Sequence, residues 1–277
     1  MTNEELKTSD LDLFVEYLKK TGLSDNTCNR HIRNYKRLPF NDNSTQDDIL
    51  KSVINDETIS IPQKLLRLSS GSKYLKYKNM KNDKILSNIM ELNKQITKTY
   101  MERNKKRKYD YNKQDILNEM NRFYDTGNKK AYLLSYLVVT FNTRNKDCDV
   151  TIARHKKYCK DKNENYLVLR KNDVIFIRNF YKTCKAYGTK EHIIRNKKIL
   201  ECVNYLMRDK EFKTRKLFDN FYNCTKIIKR YMPYQLKTSD IVRIILNCNN
   251  SLKDAVKISK NRGTTLKILN NNYNLKA

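Results

Sequence analysis

The scarcity of glycine and proline is the feature that most limits what this chain can fold into. Its 277 residues include only 5 Gly and 3 Pro, whereas Lys, Asn, Leu and Ile are abundant. Tight turns and flexible linkers depend on those two residue types. Hydrophobic residues make up 39% of the chain, which is enough for a packed core. We therefore expect a mainly helical protein with few tight hairpins.

Apolar residues at helical spacing recur through the first hundred positions. Between Ser9 and Gly22 they mark one face of a helix, with Ser9 as its predicted N-cap and Gly22 as its end. The same spacing predicts further helices from Ser24, over 45–55 and over 83–101. Residues 1–102 are accordingly predicted to form a helical domain.

The second half of the chain mixes helical and strand patterns. Residues 130–141 (KAYLLSYLVVTF) are apolar nearly all round, which predicts the buried central helix of a domain over 113–277. Two β-rich runs, 166–169 and 174–177, flank an Asn-Asp turn and predict a hairpin, with a third strand possible at His192. The fold class is expected to be α+β, mainly α with a small antiparallel β-sheet. Later helices are predicted over 198–207, 225–232 and 239–247, and from Ser251 to Gly263.

The formal net charge of +28, from 58 basic and 30 acidic residues, calls for an anionic partner. Residues 1–60 hold eight basic and eleven acidic residues, so the rest of the chain carries +31. No apolar run approaches the roughly 18 to 20 residues that span a bilayer. Double-stranded DNA, bound through phosphate contacts, is therefore the expected partner, and a membrane is not.

Two groups of basic residues are candidate phosphate contacts. One is a basic face of the second helix. The other is a basic run inside a predicted interdomain linker, 103–112, for which a solvated charge run is the alternative interpretation. The candidate DNA-binding residues are Arg30, Arg33, Lys36 and Arg37 of the helix, and Lys105, Lys106, Arg107 and Lys108 of the run.

The cysteines and the start of the chain indicate a reducing, intracellular setting. The seven Cys are odd in number and no pair is spaced as CxxC, so neither a disulfide framework nor a zinc site is favoured. The polar, acidic start MTNEELKTSD is unlike a signal peptide. We expect a protein that is not secreted and that uses no metal and no cofactor.

Four side chains could together cut and rejoin DNA. A Tyr hydroxyl can hold a phosphate covalently, and Tyr273 is the one Tyr after Arg243. Two guanidiniums can clamp the charged phosphate oxygens, and Arg144 and Arg243 follow or lie within apolar stretches where a charge needs a partner. A lysine can protonate the departing oxygen. Lys182, after the hairpin, is the candidate, with Lys185 as its main alternative.

In this order the motifs resemble the tyrosine recombinase (phage integrase-like) family, particularly the divergent members encoded by large DNA viruses of eukaryotes. Residues 22–27 (GLSDNT) resemble the turn that begins a helix of the family's core-binding domain. The other matches are Arg144 with Asp147 for the first arginine box, Lys182 for the catalytic lysine, Asp240 to Arg243 for the His-x-x-Arg box, and Gly263, Thr264 and Thr265 with Tyr273 for the terminal Gly-His-Ser … Tyr segment.

The resemblance implies a helical core-binding (SAM-like) domain over 1–102 and a tyrosine-recombinase catalytic domain over 113–277, closing around duplex DNA. It implies site-specific recombination or integration through a 3′-phosphotyrosine intermediate. The active form would be a homo-oligomer, a tetramer, assembled on DNA. The setting would be the host nucleus or a cytoplasmic site of viral replication. The implied catalytic residues are Arg144, Lys182, Arg243 and Tyr273, supported by Asp147, Asp240 and Thr264.

Two departures from the family pattern leave alternatives open. Asp240 stands where the family usually has His, and Thr264 stands where it has His or Trp. A catalytically inactive recombinase-fold protein that binds or packages DNA is therefore one alternative. A type IB topoisomerase, which shares the catalytic chemistry, is another. An RNA-binding protein is the weakest, because no RNA-recognition motif with paired aromatics is visible.

Overall fold

The computed structural model describes residues 3–38, 44–105, 109–248 and 251–273. The chain divides into two compact units, Met1–Tyr100 and Met101–Ala277. The fold class is α+β as expected, with helices throughout and one small sheet in the second unit. Among the helices that can be described, none has the length and apolar character needed to cross a membrane.

The first unit is built from helices with clear start signals. Ser24 lies at the N-cap of the second helix, as predicted, and Thr45 and Asp48 form a capping box at the third, with Thr45 N donating to Asp48 Oδ2 at 2.8 Å. The first helix begins at Asn3, so the prediction that Ser9 caps it is wrong. The helices are α1 (Asn3–Lys20), α2 (Asp25–Tyr35), α3 (Gln46–Ile54), α4 (Ile61–Tyr77) and α5 (Asp83–Lys105), whose last residues belong to the second unit.

Packing in the first unit centres on α4. Its buried Leu68 and Leu75 contact Ile49 and other apolar residues of neighbouring helices. A Cβ on Gly71 would lie 2.9 Å from Ile49 Cγ2, so glycine permits this close approach. Between α2 and α4, the buried His31 and Ser70 are hydrogen bonded, Nδ1 to Oγ, at 3.0 Å.

The second unit is organised around α7 (Lys129–Phe141), the buried central helix predicted from residues 130–141. Asn128 Oδ1 accepts from Ala131 N at 3.2 Å and caps its start, and Asn142 ends it in the left-handed region at φ 50°. The helix contacts α6 (Lys113–Asp125), α9 (Lys197–Leu206), α10 (Cys224–Tyr231) and α11 (Thr238–Cys248). The remaining helices are α8 (Cys184–Tyr187), α12 (Leu252–Arg262) and α13 (Leu266–Tyr273).

The sheet has the order β4-β3-β2-β1-β5. The predicted hairpin is present, since β2 and β3 are antiparallel and Leu167 faces Phe176. The third strand at His192 is β4, antiparallel to β3. The sheet is mixed rather than wholly antiparallel, because the connection between β1 and β2 returns the chain in the same direction and the two pair in parallel. The strands are β1 (Val150–Ala153), β2 (Asn165–Leu169), β3 (Val174–Arg178), β4 (Lys190–Ile194) and β5 (Thr214–Lys216).

Candidate active site

Arg144 lies on the turn that follows α7. After Asn142 the backbone becomes extended at Arg144 (φ −87°, ψ 167°) and then enters a 3₁₀ turn, Asn145–Cys148. Asp147 closes this turn, because its Oδ2 accepts a hydrogen bond from Arg144 N at 3.2 Å. Arg144 and Asp147, which were matched together to the first arginine box, are therefore joined through the main chain of Arg144. This hydrogen bond fixes the backbone from which the arginine side chain projects.

The Asp147 carboxylate is bound by a different arginine. Arg178, at the end of β3, donates from Nη2 to Asp147 Oδ2 at 2.5 Å, and the two side chains are 0% and 2% exposed. Arg178 Nη1 also donates to Asn261 O at 2.7 Å, which ties β3 to α12. Removing one member of such a buried pair typically costs about 3–5 kcal/mol of stability. Asp147 and Arg178 thus form the structural base of the site.

The Arg144 guanidinium is left without a carboxylate partner among the described residues. Its Nη1 is buried and has no hydrogen-bond acceptor. Burial lowers the pKa of Arg144, and the charge of Arg262 lowers it further, while Asp147 and Tyr273 act in the opposite direction. An arginine nevertheless stays protonated in proteins. The side chain is therefore a half-buried cation with a free donor, which suits an anionic ligand.

Arg243 and Asp240 lie one turn apart on α11. Arg243 Nη1 and Asp240 Oδ1 are 3.0 Å apart, and their side chains are 13% and 17% exposed. Tyr109 Oη also donates to Asp240 Oδ1, at 2.9 Å. Burial raises the pKa of Tyr109, and the negative charge of Asp240 raises it further. Asp240, where the resembled family has His, thus orients Arg243 as an ion-pair partner.

Tyr273 lies at the end of α13, between arginines. Its Oη accepts a hydrogen bond from Arg262 Nη2 at 2.9 Å. The Cζ atoms of Arg262 and Arg243 lie 4.8 and 5.5 Å from the centre of its ring. Asn247 Nδ2 donates to Tyr273 O at 3.2 Å and holds the end of α13 against α11. The tyrosine predicted as nucleophile is therefore next to the predicted Arg243 and interacts electrostatically with Arg144.

The predicted lysine and threonine are less closely involved. The Lys182 side chain is exposed and forms no hydrogen bond or ion pair with a described residue, and Lys185 is exposed too. The neighbouring Thr183 Oγ1 donates to Gly263 O at 3.3 Å, so this loop packs on the turn that ends α12. Thr264 donates its backbone N–H to Ser259 O at 3.0 Å, which completes that turn.

Lys190, on β4, is half-buried. Its Nζ donates to Lys260 O at 2.6 Å. Burial lowers the pKa of Lys190, the charges of Arg178 and Arg144 lower it further, and Asp147 opposes them. Lys190 therefore shares the electrostatic environment of Arg144, whereas no hydrogen bond or ion pair links Lys182 to that group.

The sequence interpretation missed Arg178 and Arg262, and it preferred Lys182 and Lys185 to the nearby Lys190. The one local sequence signal for the position of Arg262 was Gly263. Its left-handed conformation (φ 58°) ends α12 and leaves Arg262 in the last turn of that helix. The DNA-binding candidates at α2 are all exposed. Arg30 and Arg33 lie within the helix and Lys36 and Arg37 follow its last residue, Tyr35. Lys105 is the last residue of α5, and Lys106, Arg107 and Lys108 lie outside the described residues.

The assembled group carries more positive than negative charge. Arg262 and Arg243 contact Tyr273, Arg144 interacts with it electrostatically, and Arg178 is bound to Asp147. The carboxylates of the group are Asp147 and Asp240. Such a group can bind an anion and stabilise charge that develops on it. Over the described part of the chain, no cluster of three or more His, Cys, Asp or Glu could hold a metal ion.

Comparison with known proteins gives one distant structural likeness. No family model matches the chain, and no curated protein sequence matches it significantly. Among solved structures, the crystal structure of XerA recombinase aligns with 97% of this chain and 94% of its own, at 10% identity and a TM-score of 0.34. A TM-score this low does not by itself establish a shared function.

Proposed function

We propose that this chain cuts and rejoins DNA through a covalent bond between Tyr273 and a DNA phosphate, as a site-specific recombinase or integrase. The observation that carries the proposal is the setting of Tyr273, whose Oη lies 2.9 Å from Nη2 of the buried Arg262 and whose ring centre lies 5.5 Å from Arg243 Cζ. An ordinary core tyrosine has no need of such neighbours, whereas a nucleophile that attacks a phosphodiester does.

The reaction follows from the chemistry of these groups. The Tyr273 oxygen attacks the phosphorus and releases its proton to water, since the side chain is only half-buried. The bond from phosphorus to the 5′ oxygen breaks, and a lysine ammonium protonates that oxygen. The DNA 3′ end remains linked to Tyr273 as a phosphodiester, so rejoining needs no energy source. Arg144 and Arg243 bind the phosphate oxygens throughout.

Lys190 is preferred among the candidate proton donors because it is half-buried and its Nζ is held by Lys260 O at 2.6 Å. A general acid works best when its pKa lies near the working pH, and the pKa of Lys190 is lowered by burial and by neighbouring cations. Lys182 is exposed. We therefore assign the proton transfer to Lys190 in place of Lys182.

Covalent trapping tests the proposal directly. Wild-type protein and Tyr273→Phe are incubated with a pool of nicked duplexes of random sequence, on which binding is confirmed first, and are then separated on a denaturing gel. We expect a DNA–protein adduct with the wild type and none with Tyr273→Phe. Tyr111→Phe, which removes the hydroxyl of a tyrosine stacked on Tyr234, is the control and should form the adduct.

The alternatives predict different results. A bound pool without any adduct from the wild type would contradict strand cutting and favour a DNA-binding or packaging protein. An adduct together with rapid, site-independent relaxation of supercoiled plasmid would favour a type IB topoisomerase. An adduct that persists in Tyr273→Phe would place the nucleophile elsewhere.

A further inference from the structure

Arg262 is the most buried cation that touches Tyr273. The residue is 3% exposed. Its Nη1 donates to Asn142 O at 3.0 Å and to Thr143 O at 3.4 Å, and its Nη2 donates to Tyr273 Oη at 2.9 Å. One rigid guanidinium therefore links the turn that ends α7 to the tyrosine hydroxyl.

The charge of Arg262 is not neutralised within the described part of the chain. Its three acceptors are two carbonyls and a hydroxyl, no carboxylate pairs with it, and its buried Nε has no acceptor. A buried charge without a counterion is costly. Carbonyls alone could be satisfied by a neutral donor such as glutamine, so capping the turn does not require a cation here.

The hydrogen bond to Tyr273 Oη gives a reason for a cation at this position. A hydrogen bond from a cation is roughly twice as strong as a neutral one and is strongest toward a negatively charged oxygen. The tyrosine oxygen carries negative charge while its bond to phosphorus forms or breaks. Thr264, where the resembled family has His or Trp, offers no cation for this purpose.

We propose that Arg262 is a further catalytic residue, whose guanidinium holds the Tyr273 oxygen and stabilises negative charge on it as the phosphotyrosine bond forms and breaks. This inference rests on the proposed function. In the forward step Tyr273 loses its proton to water and its oxygen bonds to phosphorus. The bond from phosphorus to the 5′ oxygen breaks, and that oxygen gains a proton from a lysine. Arg262 keeps all its protons and only donates hydrogen bonds.

Four proteins test this role at saturating concentrations of the nicked duplex pool, where the rate of adduct formation no longer depends on affinity. They are wild type, Arg262→Lys, Arg262→Gln and Arg262→Ala. Loss of one donor to a developing oxyanion typically costs about 10²-fold or more in rate. We expect that loss for Gln, a smaller loss for Lys, which keeps the charge, and partial recovery of Ala when guanidinium ion is added below denaturing concentrations.

The matched control is Arg154→Gln. Arg154 is a partly buried arginine of the same unit whose Nη2 donates to Met207 O and Asp209 O, at 2.6 and 2.8 Å, and which forms no hydrogen bond with Tyr273. It should form the adduct at the wild-type rate. Thermal unfolding of each variant separates misfolding from loss of chemistry.

The outcomes separate the two proposals. Equal rates for Arg262→Gln and Arg262→Lys, or no response of Arg262→Ala to guanidinium, would reduce Arg262 to a cap on the Asn142 turn and leave the proposed function intact. If Tyr273→Phe forms as much adduct as the wild type, the proposed function fails first and Arg262 loses its role with it.

Discussion

At the scale of single residues, the site is distinguished by charges that lack counterions. Arg144 Nη1 and Arg262 Nε are both buried without an acceptor. Buried donors in folded proteins are nearly always satisfied, and exceptions mark strain, catalysis or an absent ligand. A phosphodiester supplies both negative charge and acceptor oxygens, so the DNA phosphate of the proposed function would satisfy such donors.

The lysine assignment gives a residue-scale prediction. Lys190→Ala should slow adduct formation by about 10²–10⁴-fold, the usual contribution of a general acid, while Lys182→Ala should remain near the wild-type rate. A substrate with sulfur at the bridging 5′ position should restore Lys190→Ala, because a thiolate leaves without a proton. Adduct rates on oxygen and sulfur substrates measure this. The reverse pattern, with Lys182→Ala slow and restored by sulfur, would return the role to Lys182.

Some site residues were predictable from the sequence and others were not. Arg144, Arg243 and Tyr273 were chosen as candidates from their order along the chain and their neighbours, and the structure brings Arg243 against Tyr273. Arg178 and Arg262 look like any of 58 basic residues. Their importance comes from acceptors far away in sequence, such as Asn261 for Arg178 and Asn142 for Arg262. Local pattern carries no information about such pairs.

At the scale of elements, prediction succeeded where the signal was local. The hairpin of β2 and β3 and the helix that starts after Ser251 match their predictions, because turn and cap residues act over a few positions. Helix α4 was not predicted, since Pro62 and Gly71 are helix breakers in most contexts. Here Pro62 occupies the first turn, where its missing N–H is not needed, and Gly71 faces Ile49.

The pairing of strands was the least predictable part of the fold. The parallel pairing of β1 with β2 depends on the path of the connection over 154–164, and the antiparallel pairing of β1 with β5 joins segments separated by residues 154–213. Strand β5 is short and carries Thr214, Arg215 and Lys216, which lack any apolar alternation. Its place in the sheet is set by its partner and not by its own residues.

The contact between α2 and α4 predicts a pH dependence. Ser70 Oγ donates to Leu66 O, so His31 Nδ1 donates to Ser70 Oγ. Burial lowers the pKa of His31, and the charges of Arg30 and Lys73 lower it further. The unfolded state, with a His pKa of about 6.5, therefore binds a proton first as pH falls. The stabilisation that depends on neutral His31 should be fully present above about pH 6.5 and should decrease as the pH falls below that value.

Amide hydrogen exchange of α2 and α4 in the full chain measures this effect. The free energy of opening in the wild type should fall between about pH 7 and about pH 5. In His31→Gln, which cannot titrate, the fall should be smaller. His155→Gln, which removes an exposed histidine, should behave as the wild type. An equal fall in His31→Gln and wild type would show that other groups cause it.

At the scale of the whole molecule, charge is the dominant property. A net charge of +28 over 277 residues repels itself unless phosphates neutralise it. The first sixty residues are acidic overall, but four exposed basic residues lie in and just after α2. We call this group the α2 basic face. It consists of Arg30, Arg33, Lys36 and Arg37.

Salt dependence of DNA binding tests the α2 basic face. Each neutralised phosphate contributes about −0.9 to the slope of log affinity against log salt. Replacing all four residues with glutamine should weaken binding and make the slope shallower by up to about 3 to 4. Fluorescence anisotropy over a salt series measures both. The control replaces four exposed lysines of the same unit with glutamine and should change the slope less: Lys19, Lys20, Lys51 and Lys98. Equal slopes for the two variants would show general charge attraction instead of a defined contact.

The turn at Asn142 and Thr143 has a mechanical consequence. Its carbonyls hold Arg262, and the next residue along the chain is Arg144. When the end of α7 moves, the arginine that holds the tyrosine and the arginine that would hold the phosphate are displaced together. The guanidinium that contacts Tyr273 and the proposed phosphate ligand are thereby tethered to one three-residue segment, 142–144, and a shift of that segment would carry both.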